Sequence, residues 1–276
     1  MNPENRRSVA VTIRRMLVIT VLLTCFLLFV AYTASAEETA QGGQSLEQAA
    51  SDPTASLMSV QIQDLYAGDY HNLDDQEGNT ILLRTAVPFK TGSLDHIARA
   101  TLPIVTDSPS GKSGLSDLVL FDLIVFNESW GRWGVGPVML FPTATSDQLG
   151  AEKWAIGPAL GFMARSDKLL WGLFNQNLFS FAGNNDREDV HVSILQPILN
   201  YSLPDKWSIG ISEMNITYDW KKSDWTALPL GVKLAKLVKF GKLPAQFSGA
   251  YEYNFADDYV APKWMINFTL KLLFPL

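Results

Sequence analysis

Hydrophobic and polar residues alternate along most of the chain with a period of two. From Trp264 to Leu272 every even position is apolar, whereas Asn267, Thr269 and Lys271 lie between them. Strict alternation over this length indicates a β-strand with one apolar and one polar face. The preceding segment, 244–255, repeats the pattern with aromatic residues on one face.

The same template predicts about twelve strands. Their expected ranges are 57–66, 79–89, 94–105, 115–127, 131–141, 153–165, 168–181, 189–203, 206–218, 225–239, 244–255 and 263–274. The segment Leu118 to Phe126 departs from the alternation, because it is apolar on both faces except for Asp122. We therefore expect other side chains to pack against it inside the fold, and Leu118, Leu120 and Ile124 to face inward and favour an apolar solute.

The connections between these strands alternate long and short. Long ones centre on 68–78, 107–114, 142–152, 183–188, 220–224 and 256–262, and short ones on 90–93, 128–130, 166–167, 204–205 and 241–243. Short periplasmic turns, longer extracellular loops and an even strand count are typical of transmembrane β-barrels. The fold predicted is all-β, a closed antiparallel transmembrane β-barrel.

Strand length and tryptophan placement favour the barrel over a soluble β-sandwich, the alternative fold. Strands of about 11–14 residues exceed the five or six usual in soluble sheets, whereas a tilted strand crosses a bilayer in about 9–11. All eight tryptophans fall near predicted strand ends, where an aromatic girdle would place them. In a barrel, the apolar faces contact lipid and the polar faces line the lumen.

The N-terminus has the features of a secretory signal peptide. Four arginines precede the apolar run Met16 to Val30, and the sequence Ala34-Ser35-Ala36 fits a signal-peptidase site. We expect cleavage before Glu37, the alternative being an uncleaved anchor. The predicted organisation is a signal peptide at 1–36, a periplasmic leader or plug at 37–56, and an outer-membrane barrel at 57–276.

Composition narrows the function classes. The chain has 276 residues, 22 of them basic and 28 acidic, for a net charge of −6. This sign disfavours nucleic-acid binding. The single cysteine, Cys25, lies within the signal peptide. Disulfides are therefore not expected in the mature chain.

Little in the sequence indicates catalysis, and we expect no catalytic residues, no metal site and no cofactor. The run Ser110 to Ser113 resembles the end of a phosphate-binding loop, but Thr106 stands where that motif requires glycine. His96 follows Asp95 near Ser93, without a Gly-x-Ser-x-Gly elbow. Acidic residues in the predicted outer loops (Asp74, Asp75, Glu77, Asp186, Glu188, Asp189, Asp257 and Asp258) would form a solvated rim or bridge divalent cations to lipopolysaccharide.

Polar residues on the predicted strand faces are the candidates for the lumen and a substrate path. They are Arg84, Arg99, Asp122, Gln196, Gln246, Glu252, Asn267 and Lys271. They would either form charge pairs that hold the interior together or provide a polar path for solute. Glu252 and Lys271 share the polar face of neighbouring strands, so we expect them to pair.

Several stretches resemble a family of Gram-negative outer-membrane β-barrels described as transporters and related to the meta-pathway phenol-degradation proteins. They are 100–106 (ATLPIVT), 113–117 (SGLSD), 133–137 (WGVGP), 141–145 (FPTAT), 149–154 (LGAEKW), 157–158 (GP), 176–177 (QN), 179–183 (FSFAG), 189–190 (DV), 196–200 (QPILN), 218–220 (YDW) and 272–275 (LLFP). The resemblance runs from about residue 56 to the end and implies a barrel and transport, without naming the molecule.

These patterns predict a bacterial outer-membrane channel or transporter for small solutes, with hydrophobic or aromatic molecules as the candidates. Its partners would be outer-membrane lipid and lipopolysaccharide, the barrel-assembly machinery and the small-molecule solute, with no nucleic acid. A lipid-modifying barrel enzyme and a non-conducting structural barrel are the alternatives. A paired serine and histidine at the lipid-facing rim would favour the enzyme, and a sealed lumen the structural barrel.

Overall fold

The computed structural model describes residues 44–241 and 243–274, which form one short helix and a single antiparallel sheet. The predicted signal peptide and the first part of the predicted leader, 37–43, lie outside the described residues. In the described ranges no helix has the length and apolarity needed to cross a membrane. Helix α1 spans Leu46–Ser51, and a single 3-10 turn spans Pro204–Lys206.

The sheet contains fifteen strand segments in the described residues. They are β1 (Met58–His71), β2 (Gly78–Thr91), β3 (Leu94–Asp107), β4 (Gly114–Leu115), β5 (Leu118–Glu128), β6 (Gly131–Phe141), β7 (Lys153–Arg165), β8 (Leu169–Gly183), β9 (His191–Ser202), β10 (Trp207–Ile211), β11 (Ile216–Asp219), β12 (Asp224–Ala227), β13 (Pro229–Phe240), β14 (Leu243–Asn254) and β15 (Ala261–Phe274).

The segments assemble into a closed barrel with twelve strand positions around its wall, which confirms the predicted fold. Each position is called a stave below, whether it holds one strand segment or two. The first strand, β1, pairs with both β2 and β15, so the sheet has no free edge there. Segments β10 and β11 both pair with β9 and form one interrupted stave. Segments β12 and β13 form the next stave, and β4 is a short extension paired with β3.

Short and long connections lie at opposite ends, as predicted. The short-turn end holds the connections after β2, β5, β7, β9 and β13, and the long-loop end holds the other six. Trp130, Trp133, Trp171 and Trp207 lie toward the short-turn end, and Trp154, Trp220, Trp225 and Trp264 toward the long-loop end. The tryptophans therefore form two belts separated by the apolar middle of the strands.

The outer face of the barrel is apolar and the inner face is mixed. On β13, the side chains of Leu230 and Val232 are 58% and 64% exposed on the outside, whereas Gly231 and Lys233 point inward. One half of the interior is a hydrophobic core, in which Phe121, Leu123, Val125 and Val138 pack against Phe174 and Leu178 from the facing part of the barrel. This packing is the interior contact expected for the doubly apolar segment.

The predicted inward orientation of Asp122 is wrong, as is that of Leu118, Leu120 and Ile124. The buried side chains of β5 are the odd-numbered Phe121 and Leu123, so even positions lie outside. Asp122 pairs there with His96, at 3.0 Å between Nδ1 and a carboxylate oxygen. Alternation could not choose the face, because residues of both parities in this strand are apolar.

Residues 44–57, which contain α1, fill the lumen at the short-turn end. Gln48 donates hydrogen bonds to the carbonyls of Ser166 and Asp167 in the turn after β7. On the opposite wall, Lys271 Nζ donates to the carbonyl of Ala50 at 2.6 Å. Leu46, Ala49, Ala55 and Leu57 form an apolar cluster with Leu237 and Leu273 of the barrel wall. This inner segment, defined here as residues 44–57, therefore reaches across the barrel.

The break between β10 and β11 depends on a glycine in the neighbouring strand. Residues 212–215 leave the ladder, and Ser212 N–H still donates to the carbonyl of Gly231. A Cβ placed on Gly231 would lie 2.4 Å from the carbonyl oxygen of Tyr251 in β14 and 2.5 Å from both Ser212 Oγ and Glu252 Cγ. A side chain at position 231 would therefore press on both β14 and the interrupted segment.

We predict that Phe268→Arg, in the middle of β15 on the outer face, lowers the free energy of unfolding by about 2–4 kcal/mol, the usual cost of arginine at the bilayer midplane. Phe255→Arg, just after β14 at the long-loop end, is the matched control and should cost about 0–1 kcal/mol. Urea titration in lipid vesicles measures both. Equal costs would contradict the assigned membrane depth.

We also predict that Gly231→Ala destabilises the barrel by about 1–3 kcal/mol, since the added methyl overpacks the lumen. Gly249→Ala is the control, because its Cβ would meet only the Phe268 ring at 3.8 Å. That variant should be neutral or slightly stabilising. The same urea titration distinguishes the two, and a neutral Gly231→Ala would show that the break does not need the space.

Candidate functional site

A cluster of charged side chains occupies the polar half of the lumen, around Glu213. One Glu213 carboxylate oxygen lies 2.9 Å from Arg84 Nη1 of β2. The other lies 3.7 Å from Lys233 Nζ of β13 and 3.9 Å from Lys271 Nζ of β15. One carboxylate therefore forms ion pairs with three strands, β2, β13 and β15.

Glu213 reaches the lumen because its strand is interrupted. Within β10, Ser208 is buried inside and Ile209 lies outside. Continued alternation would place Ser212 inside and Glu213 against lipid, where a carboxylate is costly. Because residues 212–215 leave the hydrogen-bonded ladder, the inside–outside alternation of side chains is broken there. The Glu213 carboxylate therefore turns inward, toward Arg84. The interruption therefore supplies the central anion of the cluster.

Arg99 of β3 is a fourth cation beside this cluster, within electrostatic range of Glu213. Its guanidinium carbon lies 4.6 Å from the centroid of the Phe121 ring and 5.8 Å from that of Phe174. Among the described residues Arg99 forms no salt bridge, and its Nε has no hydrogen-bond partner. Cation–π contacts thus hold Arg99 at the boundary between the apolar and polar halves of the lumen.

Two cavities meet at the contact between Arg84 and Glu213. The inner cavity, about 60 Å³, lies toward the short-turn end and is bordered by the inner segment, Arg99, Asn200, Lys233 and Lys271. The outer cavity, about 140 Å³, lies toward the long-loop end and has an apolar wall of Leu65, Leu82, Pro229 and Met265. Both are also bordered by Arg84 and Glu213. The ion pair therefore lies between the two cavities.

The expected pair of Glu252 with Lys271 does not form. Glu252 lies opposite Met265 and accepts a hydrogen bond of 2.6 Å from Asn267 Nδ2, whereas Lys271 lies opposite Gln246. Six residues of β15 separate the two register positions, roughly 20 Å at 3.3 Å per residue. The alternation of the two strands correctly predicted that both side chains face the lumen. It did not predict how far apart they lie along the barrel axis.

The remaining lumen candidates also lie inside, in different surroundings. Gln246 Nε2 donates to the carbonyl of Glu47 in α1, so it contacts the inner segment. Gln196 of β9 is buried and borders the inner cavity. Arg84, Arg99, Gln196 and Lys271 are thus brought together at the inner cavity, and Glu252 and Asn267 at the outer one.

One acidic residue of the long loops, Asp189, is held by two lysines. Asp189 accepts hydrogen bonds from Lys221 at 2.5 Å and from Lys153 at 2.9 Å. These two ammonium groups hold the pKa of Asp189 well below its usual range. Within residues 44–241 and 243–274, no group of three potential ligands is arranged to hold a metal ion.

The outer face of β3 carries an arrangement that resembles catalytic chemistry. His96 is stacked on Phe89 and oriented by Asp122, as a histidine base is often oriented by a carboxylate. The second ring nitrogen, Nε2, has no hydrogen-bond partner in the described part of the chain. Asp95 pairs instead with Lys90. The described geometry thus pairs no serine with this histidine.

Two members of the charged cluster, Glu213 and Lys233, were not among the predicted lumen residues. Lys233 could have been found, since it alternates with the outward Val232 and Leu234. Glu213 carried a weaker signal, a carboxylate at a position that alternation assigns to lipid. Only the break in the strand resolves that conflict.

The fold is similar to that of known outer-membrane barrels. An outer membrane channel from Pseudomonas putida F1 matches with a TM-score of 0.58 and 14% identity, over 79% of this chain and 94% of the channel. Outer membrane phospholipase A from Escherichia coli matches at 0.43 and 10% identity, over 79% and 89% of the two chains. The translocator domain of the autotransporter NalP from Neisseria meningitidis matches at 0.41 and 15%, over 82% and 91%. No family model matches the sequence, and no curated protein does. By its likeness to the Pseudomonas channel, the chain has the fold of an outer-membrane β-barrel.

Proposed function

We propose that this protein is an outer-membrane channel that lets small apolar or aromatic solutes cross the barrel without chemical change. The observation that carries the proposal is the pair of cavities on either side of Arg84 and Glu213. They lie in a barrel whose other half is packed solid by Phe121, Phe174 and their neighbours. The polar half is therefore the path for a solute.

In this proposal the long loops face the outside and the short turns face the periplasm. The chain enters the lumen from the periplasmic side after removal of residues 1–36. A solute arriving from outside first meets the outer cavity, where Leu65, Leu82 and Met265 offer apolar contact. It then passes the contact between Arg84 and Glu213 and reaches the inner cavity.

The inner segment is the closure of this channel. Its strongest tie to the wall is the ion pair of Asp52 with Arg132 of β6, at 3.2 Å, with the two side chains 1% and 3% exposed. Arg132 also donates to Gln44 at 2.7 Å. A solute leaves the inner cavity only when the segment shifts, so its attachment controls flux.

We predict that Asp52→Asn raises the ion conductance of the protein in planar bilayers several-fold. Loss of the carboxylate removes the ion pair that ties the inner segment to β6, which weakens the attachment of that segment. Asp167→Asn is the matched control, since Asp167 accepts a hydrogen bond from that segment through its backbone carbonyl. An unchanged conductance in Asp52→Asn would show that this ion pair does not control the closure.

A reversible crosslink tests whether the segment must move. The only native cysteine, Cys25, lies in the predicted signal peptide, so cysteines introduced at Gln48 and Asp167 are unique in the mature chain. Joining them with a bifunctional methanethiosulfonate should abolish uptake of toluene and benzyl alcohol into vesicles, and reduction should restore it. Vesicles whose uptake never exceeds that of protein-free vesicles would favour the non-conducting structural barrel.

A further inference from the structure

We propose that the lumen contains a binding site for the carboxylate of a small organic acid, formed by Arg84, Arg99, Lys233 and Lys271 beside Glu213. The inference rests on the proposed function, because it names an anionic class of solute for the same path. It depends on three properties of the described residues: excess positive charge, buried donors without partners, and apolar surface beside them.

The lining of the two cavities carries more positive than negative charge. Four cations face Glu213 and Glu252, and the third carboxylate, Asp52, is neutralised by Arg132. Glu252 already accepts a hydrogen bond from Asn267. Two positive charges are therefore uncompensated in a region of low dielectric, where an unpaired charge is costly. An entering anion relieves that cost.

Donors without partners point to the same place. Among the described residues, Arg84 Nε, Arg99 Nε and Asn200 Nδ2 are buried and donate no hydrogen bond. Asn200 is 1% exposed and borders the inner cavity together with both arginines. Buried donors are almost always paired in folded proteins. The planar guanidinium of Arg99 matches a carboxylate, which accepts two parallel hydrogen bonds.

The apolar walls make the ligand an organic acid rather than a simple inorganic anion. In the outer cavity Leu65, Leu82 and Met265 line the wall together with Arg84, Glu213 and Glu252. In the inner cavity Ala55, Leu57 and Leu273 line the wall together with Arg84 and Arg99. A small organic acid can place its carboxylate at Arg84 and Arg99 and its hydrocarbon part on these apolar surfaces. Such a ligand matches both the cationic and the apolar parts of the lining.

Glu213 competes with the ligand for the same cations. Its carboxylate holds Arg84, Lys233 and Lys271. A bound carboxylate takes over part of these contacts. Glu213→Gln keeps the shape of the side chain and removes the competing charge, so it should strengthen binding, whereas loss of a cation should weaken it.

The test is equilibrium dialysis of radiolabelled benzoate against the full mature chain in detergent, with each variant first shown to be a folded, heat-modifiable barrel. Arg99→Gln should raise the dissociation constant roughly tenfold or more, the usual loss for one hydrogen-bonded charge. Glu213→Gln should lower it severalfold. Lys90→Gln is the control, because Lys90 is exposed and pairs with Asp95 outside the cavities.

Three results would overturn the proposal. The first is the absence of saturable benzoate binding, and the second is weaker binding in both Arg99→Gln and Glu213→Gln, as general destabilisation would produce. The third is equal competition by inorganic phosphate or by neutral benzyl alcohol, which would show that a carboxylate on an apolar body is not recognised. Binding without vesicle uptake would remove the channel function alone, and uptake without binding would remove the anion site alone.

Discussion

The structure depends on one constraint: inside a bilayer every backbone N–H and C=O must find a partner in the protein. The sheet meets it by closing β1 onto β15, with register pairs from Met58 with Phe274 to His71 with Ala261. Closure turns one face of every strand toward lipid and the other toward a lumen of fixed width. The remaining features of the molecule are ways of occupying that lumen.

The lumen is occupied in two chemically different ways. Between β3 and β8, large apolar side chains such as Phe121 and Phe174 meet across the interior and leave no path. On the other side, the cations Arg84, Lys233 and Lys271 repel one another and are held around the carboxylate of Glu213. The two cavities beside Arg84 and Glu213 lie in this polar half, and the inner segment borders the one toward the short-turn end.

The interrupted stave connects these features. A continuous strand through 207–219 would satisfy more backbone hydrogen bonds but would leave no carboxylate among Arg84, Lys233 and Lys271. By leaving the ladder, residues 212–215 give up regular pairing and supply that charge. Gly231 provides the space on the neighbouring strand. Local irregularity in the backbone thus stabilises a cluster that regular geometry could not build.

The sequence by itself determined the twelve staves, the alternation of short and long connections, and the inward direction of Arg84, Arg99 and Lys271, because a period of two and turn spacing are local properties. Only the tertiary structure decided the facing of Asp122, where both parities are apolar, and the partners of Glu252 and Lys271, which depend on the stagger between strands. It also decided the place of Glu213. A break in the ladder changes which face a residue occupies, and alternation carries no information about where the ladder breaks.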